Sequence, residues 1–307
     1  MSVALLFPGQ GSQFVGMGRE IASAFPQARE VFEEANDVLG FHLSRLAWEG
    51  PEEELTLTNN AQPALLVHST AVHRVLQGEL GPVSVAAGHS LGEFSAHVAA
   101  GTISFPEALE AVRLRGELMF ASGVERPGTM AAVLGMADEG VEGVCDAVQA
   151  EGLICVPANF NTKGQVVISG EVEGIERAMV LAREAGAKKA VSLAVSGAFH
   201  SPLMESAKGG LREKLEKIKF SDSRHPVVSN VTSEPVSKGT EARELLVDQL
   251  TSPVRWQASV EKMVEMGVER FFELGPGSVL CGLNKRNARG FPCQSLGVPA
   301  DFDRLGE

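Results

Sequence analysis

The sequence contains no tyrosine among its 307 residues, so no reaction that needs a phenol can be assigned to it. Cysteine is scarce as well, and Cys145, Cys155, Cys281 and Cys293 form no C-x-x-C pair. We therefore expect buried thiols and no disulfide framework. Because no H-E-x-x-H motif and no Cys/His cluster is present, we expect no metal. The glycine-rich loop after Phe7 lacks the lysine of a P-loop and the spacing of a dinucleotide fingerprint, so we also expect no cofactor.

Long apolar runs and an excess of positive charge are also missing. No stretch approaches the roughly 18 to 20 consecutive apolar residues of a membrane span, and residues 1–7 carry no basic leader. We expect a cytoplasmic protein, or one of an organelle stroma or matrix after removal of a transit peptide. The formal net charge of −12 argues against nucleic-acid binding, which requires a basic surface.

The most informative pattern present is the G-x-S-x-G pentapeptide Gly88–Gly92, which directly follows the apolar run Val83–Ala87. The flanking glycines remove Cβ atoms that would clash in a sharp strand-to-helix turn, which leaves the Ser90 hydroxyl exposed above the strand end. A helix predicted from about Leu91 to Ala100 points its first free N–H groups at the same spot. A tight turn with a capping serine is the alternative, but this order of elements favours a nucleophile.

Short apolar runs alternate with amphipathic segments, which is typical of α/β proteins. Val3–Phe7 is predicted to be a buried parallel strand, and residues 21–39 to be helical. Between 126 and 196 the order becomes β-α-β-β-α-β, the ferredoxin-like arrangement. The predicted fold class is α/β, with a hydrolase-like large subdomain around a parallel sheet core (1–125 and 197–307) and an inserted ferredoxin-like α+β small subdomain (126–196).

A serine nucleophile needs a base, and seven histidines are available. His200 lies in the loop 197–202, where the chain returns from the inserted subdomain, and such loops concentrate catalytic residues. Spacing alone leaves open whether His200 is a base or a structural residue. Acyl transfer also needs donors for an oxyanion; the N–H of Leu91 is the usual first donor of an elbow, and the loop around Gln10 offers a second unless it forms only a glycine turn.

Five separated motifs match one family: Phe7–Gln13, Gly88–Glu93, Arg115-Gly116, Gly197–Ser201 and Glu273–Gly277. They occur in the order seen in malonyl-CoA:acyl carrier protein transacylases. The chain closely resembles that family from residue 1 to about residue 290, whereas its last residues match nothing recognisable.

The resemblance implies roles for the matched residues. Ser90 is expected to be the acylated nucleophile and His200 the general base and acid. The N–H groups of Gln10 and Leu91 are expected to form the oxyanion hole. Arg115 is expected to hold the free carboxylate of the malonyl group, since a guanidinium binds a carboxylate through two parallel hydrogen bonds.

The same resemblance implies that a backbone carbonyl near Gln249 orients the histidine, which gives a dyad and not a triad. Asn161 and Phe199 are expected to line the pocket, and Phe199 to disfavour a branched methylmalonyl group. The implied reaction is ping-pong: Ser90 takes malonyl from malonyl-CoA, and the phosphopantetheine thiol of an acyl carrier protein takes it from Ser90. This transfer would supply fatty-acid synthesis.

Carrier proteins of this type are acidic, so docking requires a basic patch, for which Lys188 with Lys189 and Lys285 with Arg286 are candidates. Three other functions share parts of the pattern. A serine hydrolase has the same elbow, but an α/β-hydrolase places its histidine near the C-terminus. A non-catalytic carrier-docking protein would have no need of intact catalytic residues. An acyltransferase of a polyketide pathway stays open, because the sequence does not identify the pathway.

Overall fold

The described part of the chain, residues 2–303 and residue 305 of the computed structural model, contains ten strands and fourteen α-helices. The strands are β1 (Val3–Phe7), β2 (Val83–Gly88), β3 (Gly128–Leu134), β4 (Cys155–Thr162), β5 (Gln165–Glu171), β6 (Lys189–Ser192), β7 (Val227–Val228), β8 (Pro235–Val236), β9 (Arg270–Leu274) and β10 (Cys293–Leu296).

The helices follow the strands singly or in groups, with five in succession between β1 and β2. They are α1 (Arg19–Ala24), α2 (Pro26–Leu39), α3 (Leu43–Glu49), α4 (Glu52–Thr56), α5 (Thr58–Leu76), α6 (Gly92–Ala100), α7 (Phe105–Glu125), α8 (Asp138–Ala150), α9 (Val172–Glu184), α10 (Glu205–Glu216), α11 (Gly239–Asp248), α12 (Trp256–Glu265), α13 (Val279–Asn287) and α14 (Pro299–Phe302). Among these helices, none combines the length and the apolar character needed to cross a membrane.

A six-stranded sheet in the order β10-β9-β1-β2-β7-β8 forms the centre of the large subdomain. All neighbouring strands pair in parallel except β7 and β8. All five residues of β1 are buried, as expected for a parallel strand covered on both faces. Because Phe7 pairs with Gly88, the loops that follow β1 and β2 begin side by side at one edge of the sheet. Ligand sites of open α/β sheets lie at this edge, outside the carboxyl ends of the strands.

A second sheet, antiparallel and in the order β4-β5-β3-β6, forms the small subdomain. Helices α8 and α9 pack against it around a separate apolar core that includes Val133, Ile168 and Ile175. The order of elements and the strand order are those of a ferredoxin-like unit, so the predicted fold class is confirmed. All four strands fall between residues 126 and 196. The boundaries predicted for the two subdomains stay a prediction, and their termini at residues 1 and 307 lie outside the described residues.

The helix predicted over residues 21–39 is interrupted. The chain forms α1 and α2 instead, with Phe25 extended between them and Pro26 in the first position of α2. Proline has no N–H to donate and favours the first turn of a helix, so the helix restarts at this residue.

The expectation of four buried thiols is wrong for two of them. Cys281 of α13 and Cys293 of β10 form a disulfide, with their Cα atoms 5.3 Å apart. The sequence separation of 12 residues gave no indication of this, because the pairing depends on β10 returning alongside α13. Cys145 and Cys155 are buried thiols, as expected.

Burial is the main cause of a lowered pKa for six histidines: His68, His73, His89, His97, His200 and His225. Below the ordinary histidine pKa of about 6.5, the unfolded chain therefore binds protons that the folded chain does not. Burial also raises the pKa of three carboxyl groups, those of Glu93, Asp138 and Glu273. These groups take up their protons at a higher pH in the folded chain than in the unfolded chain. The histidines are more numerous, so acid should favour unfolding.

We expect the free energy of unfolding to fall as the pH drops from about 6.5 to about 4.5, by at least about 1.4 kcal/mol per pH unit, which corresponds to one net proton. Urea unfolding at a series of pH values measures this slope. The change His97→Gln should reduce the slope of the free energy of unfolding against pH by the equivalent of up to one proton, whatever it does to stability at neutral pH. A free energy of unfolding that stays constant or rises on acidification would contradict the prediction.

Candidate active site

Ser90 stands at a sharp turn between β2 and α6, as the pentapeptide predicts. Its φ is +51°, in the left-handed region that non-glycine residues rarely adopt. The flanking glycines are required by close packing. A Cβ added at Gly88 would overlap the Gly92 carbonyl, and one added at Gly92 would overlap the carbonyl of Phe7. The elbow therefore depends on both glycines.

Asn230, which follows β7, holds this elbow from the side. Its Oδ1 accepts a hydrogen bond from the Ser90 N–H at 2.7 Å, and its Nδ2 donates to the Gly88 carbonyl at 2.7 Å. These two bonds bracket the strained residue, since they satisfy the Ser90 N–H and the Gly88 carbonyl. This role of Asn230 was not predicted, because its only signal in the sequence is its place shortly after a two-residue strand.

His200 supplies the base that a serine nucleophile requires. Its Nε2 lies 2.8 Å from Ser90 Oγ, and its Nδ1 lies 2.9 Å from the Gln249 carbonyl and 3.2 Å from the Ser252 carbonyl. Carbonyl oxygens only accept hydrogen bonds, so Nδ1 carries the proton and Nε2 is free to accept the Ser90 proton. Within the described residues no carboxylate contacts Nδ1, so the arrangement is a dyad.

Burial, reinforced by the positive charge of Arg115, lowers the pKa of His200 to about 3. The imidazole is therefore neutral at physiological pH, which is the state a general base needs before reaction. His200 itself has a φ of +56°, so both members of the dyad occupy strained backbone positions. Such strain is concentrated at functional sites.

Arg115 projects from α7 to the same serine. Its Nη2 donates to Ser90 Oγ at 3.3 Å and to Gln249 Oε1 at 2.9 Å, and its Nη1 donates to Gln62 Oε1 at 2.7 Å. The side chain is fully buried. Arg113, two residues earlier, faces another side of the helix and pairs with Glu117. A buried guanidinium beside a nucleophile is suited to hold the carboxylate of a bound acyl group.

Gln249 contacts every part of this group. Its backbone carbonyl accepts from His200, as the resemblance implied, and its side chain also accepts from Arg115. The Nε2 group donates to the Ser90 carbonyl at 3.1 Å and to Glu93 Oε2 at 2.6 Å. The resemblance implied a role only for the backbone near this residue, and it implied none for Glu93.

A cavity of about 330 Å³ opens above the elbow. Its lining includes Gln10, Gln62, Ser90, Leu91, Met119, Met130, Asn159, Phe199 and His200. The backbone N–H groups of Gln10 and Leu91 have no hydrogen-bond acceptor among residues 2–303 and 305. Both are therefore available as donors to an oxygen atom formed in the cavity.

Of the two residues expected to line the pocket, the structure places only Phe199 in the cavity wall. The Asn161 side chain instead accepts a hydrogen bond from His89 Nε2 at 2.8 Å, and Asn159 lines the cavity. The pairing of β4 with β5 is irregular between Phe160 and Thr162, so the residue order along the strand does not predict which side chain faces the cavity. The Asn161 side chain therefore contacts His89, which lines the cavity, and does not line the cavity itself.

The two candidate basic patches lie on different elements. Lys285 and Arg286 are in the last turn of α13, whose Asn287 donates to the Asn161 carbonyl at 2.8 Å. Lys188 precedes β6 and Lys189 begins it. A docking role for either patch stays a prediction.

The comparisons with known proteins agree with this geometry. The model of a family described as acyl transferase domain matches residues 4–297. The chain is 48% identical to the malonyl CoA-acyl carrier protein transacylase of Bacillus subtilis, over 92% of this chain and 90% of that protein. It is 44% identical to the Escherichia coli protein of the same name, over 97% of this chain and 96% of that protein.

Solved structures give the same result for the fold. An acyl carrier protein S-malonyltransferase from Vibrio cholerae superposes with a TM-score of 0.95 at 42% identity, over 99% of both chains. A malonyl-transacylase solved in complex with its type II PKS acyl-carrier protein also has a TM-score of 0.95, at 45% identity over 99% of both chains. The likeness thus extends over both sheets.

Proposed function

The chain belongs to the acyl transferase domain family, and from this premise we propose that it transfers malonyl from coenzyme A to the phosphopantetheine thiol of an acyl carrier protein through an ester on Ser90. The observation that carries the proposal is the convergence of two side chains, those of His200 and Arg115, on one oxygen atom, Ser90 Oγ. Ser90 Oγ lies 2.8 Å from a base, His200 Nε2, and 3.3 Å from a carboxylate anchor, Arg115 Nη2. An ordinary esterase has no use for the second of these.

In the first half of the reaction, His200 Nε2 takes the Ser90 proton while Oγ attacks the thioester carbonyl of malonyl-CoA. The carbonyl oxygen becomes an oxyanion, which accepts hydrogen bonds from the Gln10 and Leu91 N–H groups. When the tetrahedral intermediate collapses, the carbon–sulfur bond breaks and the proton on Nε2 goes to the departing coenzyme A sulfur. Ser90 then carries malonyl as an ester, with its free carboxylate on Arg115.

The second half repeats these steps in reverse order with a different thiol. The phosphopantetheine thiol of the carrier protein gives its proton to His200 Nε2, and its sulfur attacks the ester carbonyl. The same two N–H groups stabilise the second oxyanion, after which the serine oxygen leaves and regains its proton from His200. The leaving group of the first half and the nucleophile of the second are both thiols on the same type of arm, so one cavity serves both halves.

The neighbourhood of the dyad explains why it works without an acidic third member. The Gln249 and Ser252 carbonyls fix the Nδ1–H tautomer. These dipoles also stabilise the positive charge that the ring gains during each half-reaction. We further propose that the protein works in the cytoplasm and supplies fatty-acid synthesis, as its composition and its resemblance to that family indicate.

Intact-mass measurement tests this proposal. Incubation with malonyl-CoA should add the mass of one malonyl group to the protein, and adding a carrier protein with its phosphopantetheine arm should remove that mass and place it on the carrier. A panel of acyl-CoAs should give less adduct with acetyl-CoA and with methylmalonyl-CoA. Absence of any adduct, or an adduct that water removes as fast as the carrier does, would refute the transferase function and favour a hydrolase.

A further inference from the structure

Glu93 is a buried carboxylate in the first turn of α6, three residues after the nucleophile, and it takes no part in the transfer steps. Glu93 is only 1% exposed to solvent. Its Oε2 accepts hydrogen bonds from Gln249 Nε2 at 2.6 Å and from the Asn230 N–H at 3.2 Å. Burial raises the pKa of Glu93 to about 7, which reflects how unfavourable its ionised form is at this depth. Such a group is retained where a positive charge compensates it.

Arg115 is a buried charge of the opposite sign. Its guanidinium is fully buried, and its hydrogen-bond acceptors are the neutral oxygens of Gln62, Ser90 and Gln249. In the described residues no carboxylate oxygen lies within 4.0 Å of it, and its Nε has no partner. Burial lowers the pKa of Arg115 to about 10, and the negative charge of Glu93 opposes that lowering. Glu93 is thus the acid whose field reaches the buried cation.

The side-chain amide of Gln249 joins these two charges. Its Nε2 donates to Glu93, and its Oε1 accepts from Arg115 Nη2 at 2.9 Å. The opposite amide orientation would set an NH₂ group against the guanidinium and a carbonyl against the carboxylate, so the chemistry of the neighbours fixes the assignment. Glu93, Gln249 and Arg115 therefore form one polarised chain of hydrogen bonds that ends at the Ser90 hydroxyl.

We propose that Glu93 is the resident counter-charge of Arg115 and that it sets how tightly the malonyl carboxylate is held. The inference rests on the proposed function, since it concerns the carboxylate of the transferred group. In the empty site Glu93 balances the guanidinium through Gln249. An incoming malonyl carboxylate then meets a cation already shared with another anion, and the repulsion between the two anions weakens its binding. Weaker binding suits a malonyl group that must be transferred again to a second thiol. Tight binding of the ground state alone does not raise the rate of transfer.

The test compares dissociation constants of malonyl-CoA and acetyl-CoA by calorimetry, in a Ser90→Ala background that cannot be acylated. It is run at about pH 8, above the raised pKa of Glu93, so that the carboxylate is ionised. The change Glu93→Gln removes the charge at nearly constant shape, and we expect malonyl-CoA to bind at least about threefold more tightly while acetyl-CoA is unaffected. The change Glu93→Asp keeps the charge and should keep the original ratio of the two constants.

Two controls separate a counter-charge from a structural carboxylate. Glu273 is also fully buried and accepts from the Leu280 and Cys281 N–H groups, away from the serine. Glu273→Gln should therefore leave the malonyl-to-acetyl ratio unchanged. In an Arg115→Ala background, Glu93→Gln should no longer change the ratio, because the cation it balances is gone. With Ser90 intact, Glu93→Gln should lower KM for malonyl-CoA without raising kcat.

Unchanged or weaker binding of malonyl-CoA by Glu93→Gln would overturn the inference, as would a parallel change for acetyl-CoA. If Glu93→Gln does not fold, Glu93→Met removes the carboxylate without leaving a polar group, and the same selective tightening is expected of it. Failure of the proposed function would look different: the wild-type protein would gain no malonyl adduct at all.

Discussion

Replacing Ser90 by alanine should abolish the malonyl adduct completely, and replacing His200 by alanine should slow its formation by about 10²- to 10⁴-fold, the usual contribution of general acid–base catalysis. Ser90 Oγ is the atom that carries the acyl group, so no other side chain can substitute for it. His200 only moves the proton, and the oxyanion donors and Arg115 remain in its absence. Rapid-quench intact-mass measurement with malonyl-CoA gives both rates.

Each variant has a matched control on α6. Ser95 is a buried serine of the helix, and its hydroxyl has no hydrogen-bond partner in the described part of the chain. Ser95→Ala should therefore load at the wild-type rate. His97 is a buried histidine of the same helix, and His97→Gln should also load normally. An adduct on the Ser90→Ala protein would place the acyl group elsewhere. Equal losses in His200→Ala and His97→Gln would mean that His200 supports the fold and not the reaction.

The elements next to the nucleophile could be predicted because their signals are local. The apolar run before Gly88 and the glycines around Ser90 report a strand and a turn that follow directly in the chain, and β1 was predicted at its observed bounds. The small subdomain was predictable for the same reason, since its strands and helices alternate in sequence order. The helix break at Pro26 was missed although proline marks it, because the apolar periodicity continues across it.

The rest of the site is set by contacts between distant segments. Asn230 lies 140 residues from Ser90 in sequence, and Gln249 lies 156 residues from Glu93. No local pattern distinguishes an asparagine that brackets an elbow from one in a surface turn. Asn161 shows the converse problem: the resemblance placed it in the pocket wall, but a bulged strand presents Asn159 there. Burial of Glu93 likewise becomes visible only once β7 has packed against α6 and Gln249, which follows α11, has reached the carboxylate.

Replacing Arg115 by alanine should reduce loading from malonyl-CoA about 10- to 100-fold more than loading from acetyl-CoA. Hydrogen bonds to a charged group each contribute about 1.5 to 3 kcal/mol net, and only malonyl has a carboxylate to receive them. The substitution also removes a buried cation, but Glu93 then loses the positive charge that lowers its pKa and takes up a proton more readily. The protein is therefore not left with a bare buried anion. Competition between the two acyl-CoAs, read by intact mass, gives the ratio.

Arg113→Ala is the matched control, because this arginine belongs to the same helix yet pairs with Glu117 and with the Asn59 carbonyl outside the cavity. Its loss should leave the malonyl-to-acetyl ratio unchanged. Arg115→Lys should recover only part of the discrimination, since an ammonium group supplies the charge without the two parallel donors of a guanidinium. Equal losses of malonyl and acetyl loading in Arg115→Ala would show that the arginine only supports Ser90 and Gln249. A selective loss would instead show that Arg115 recognises the malonyl carboxylate, and the charge of Glu93 would then set the affinity of that recognition.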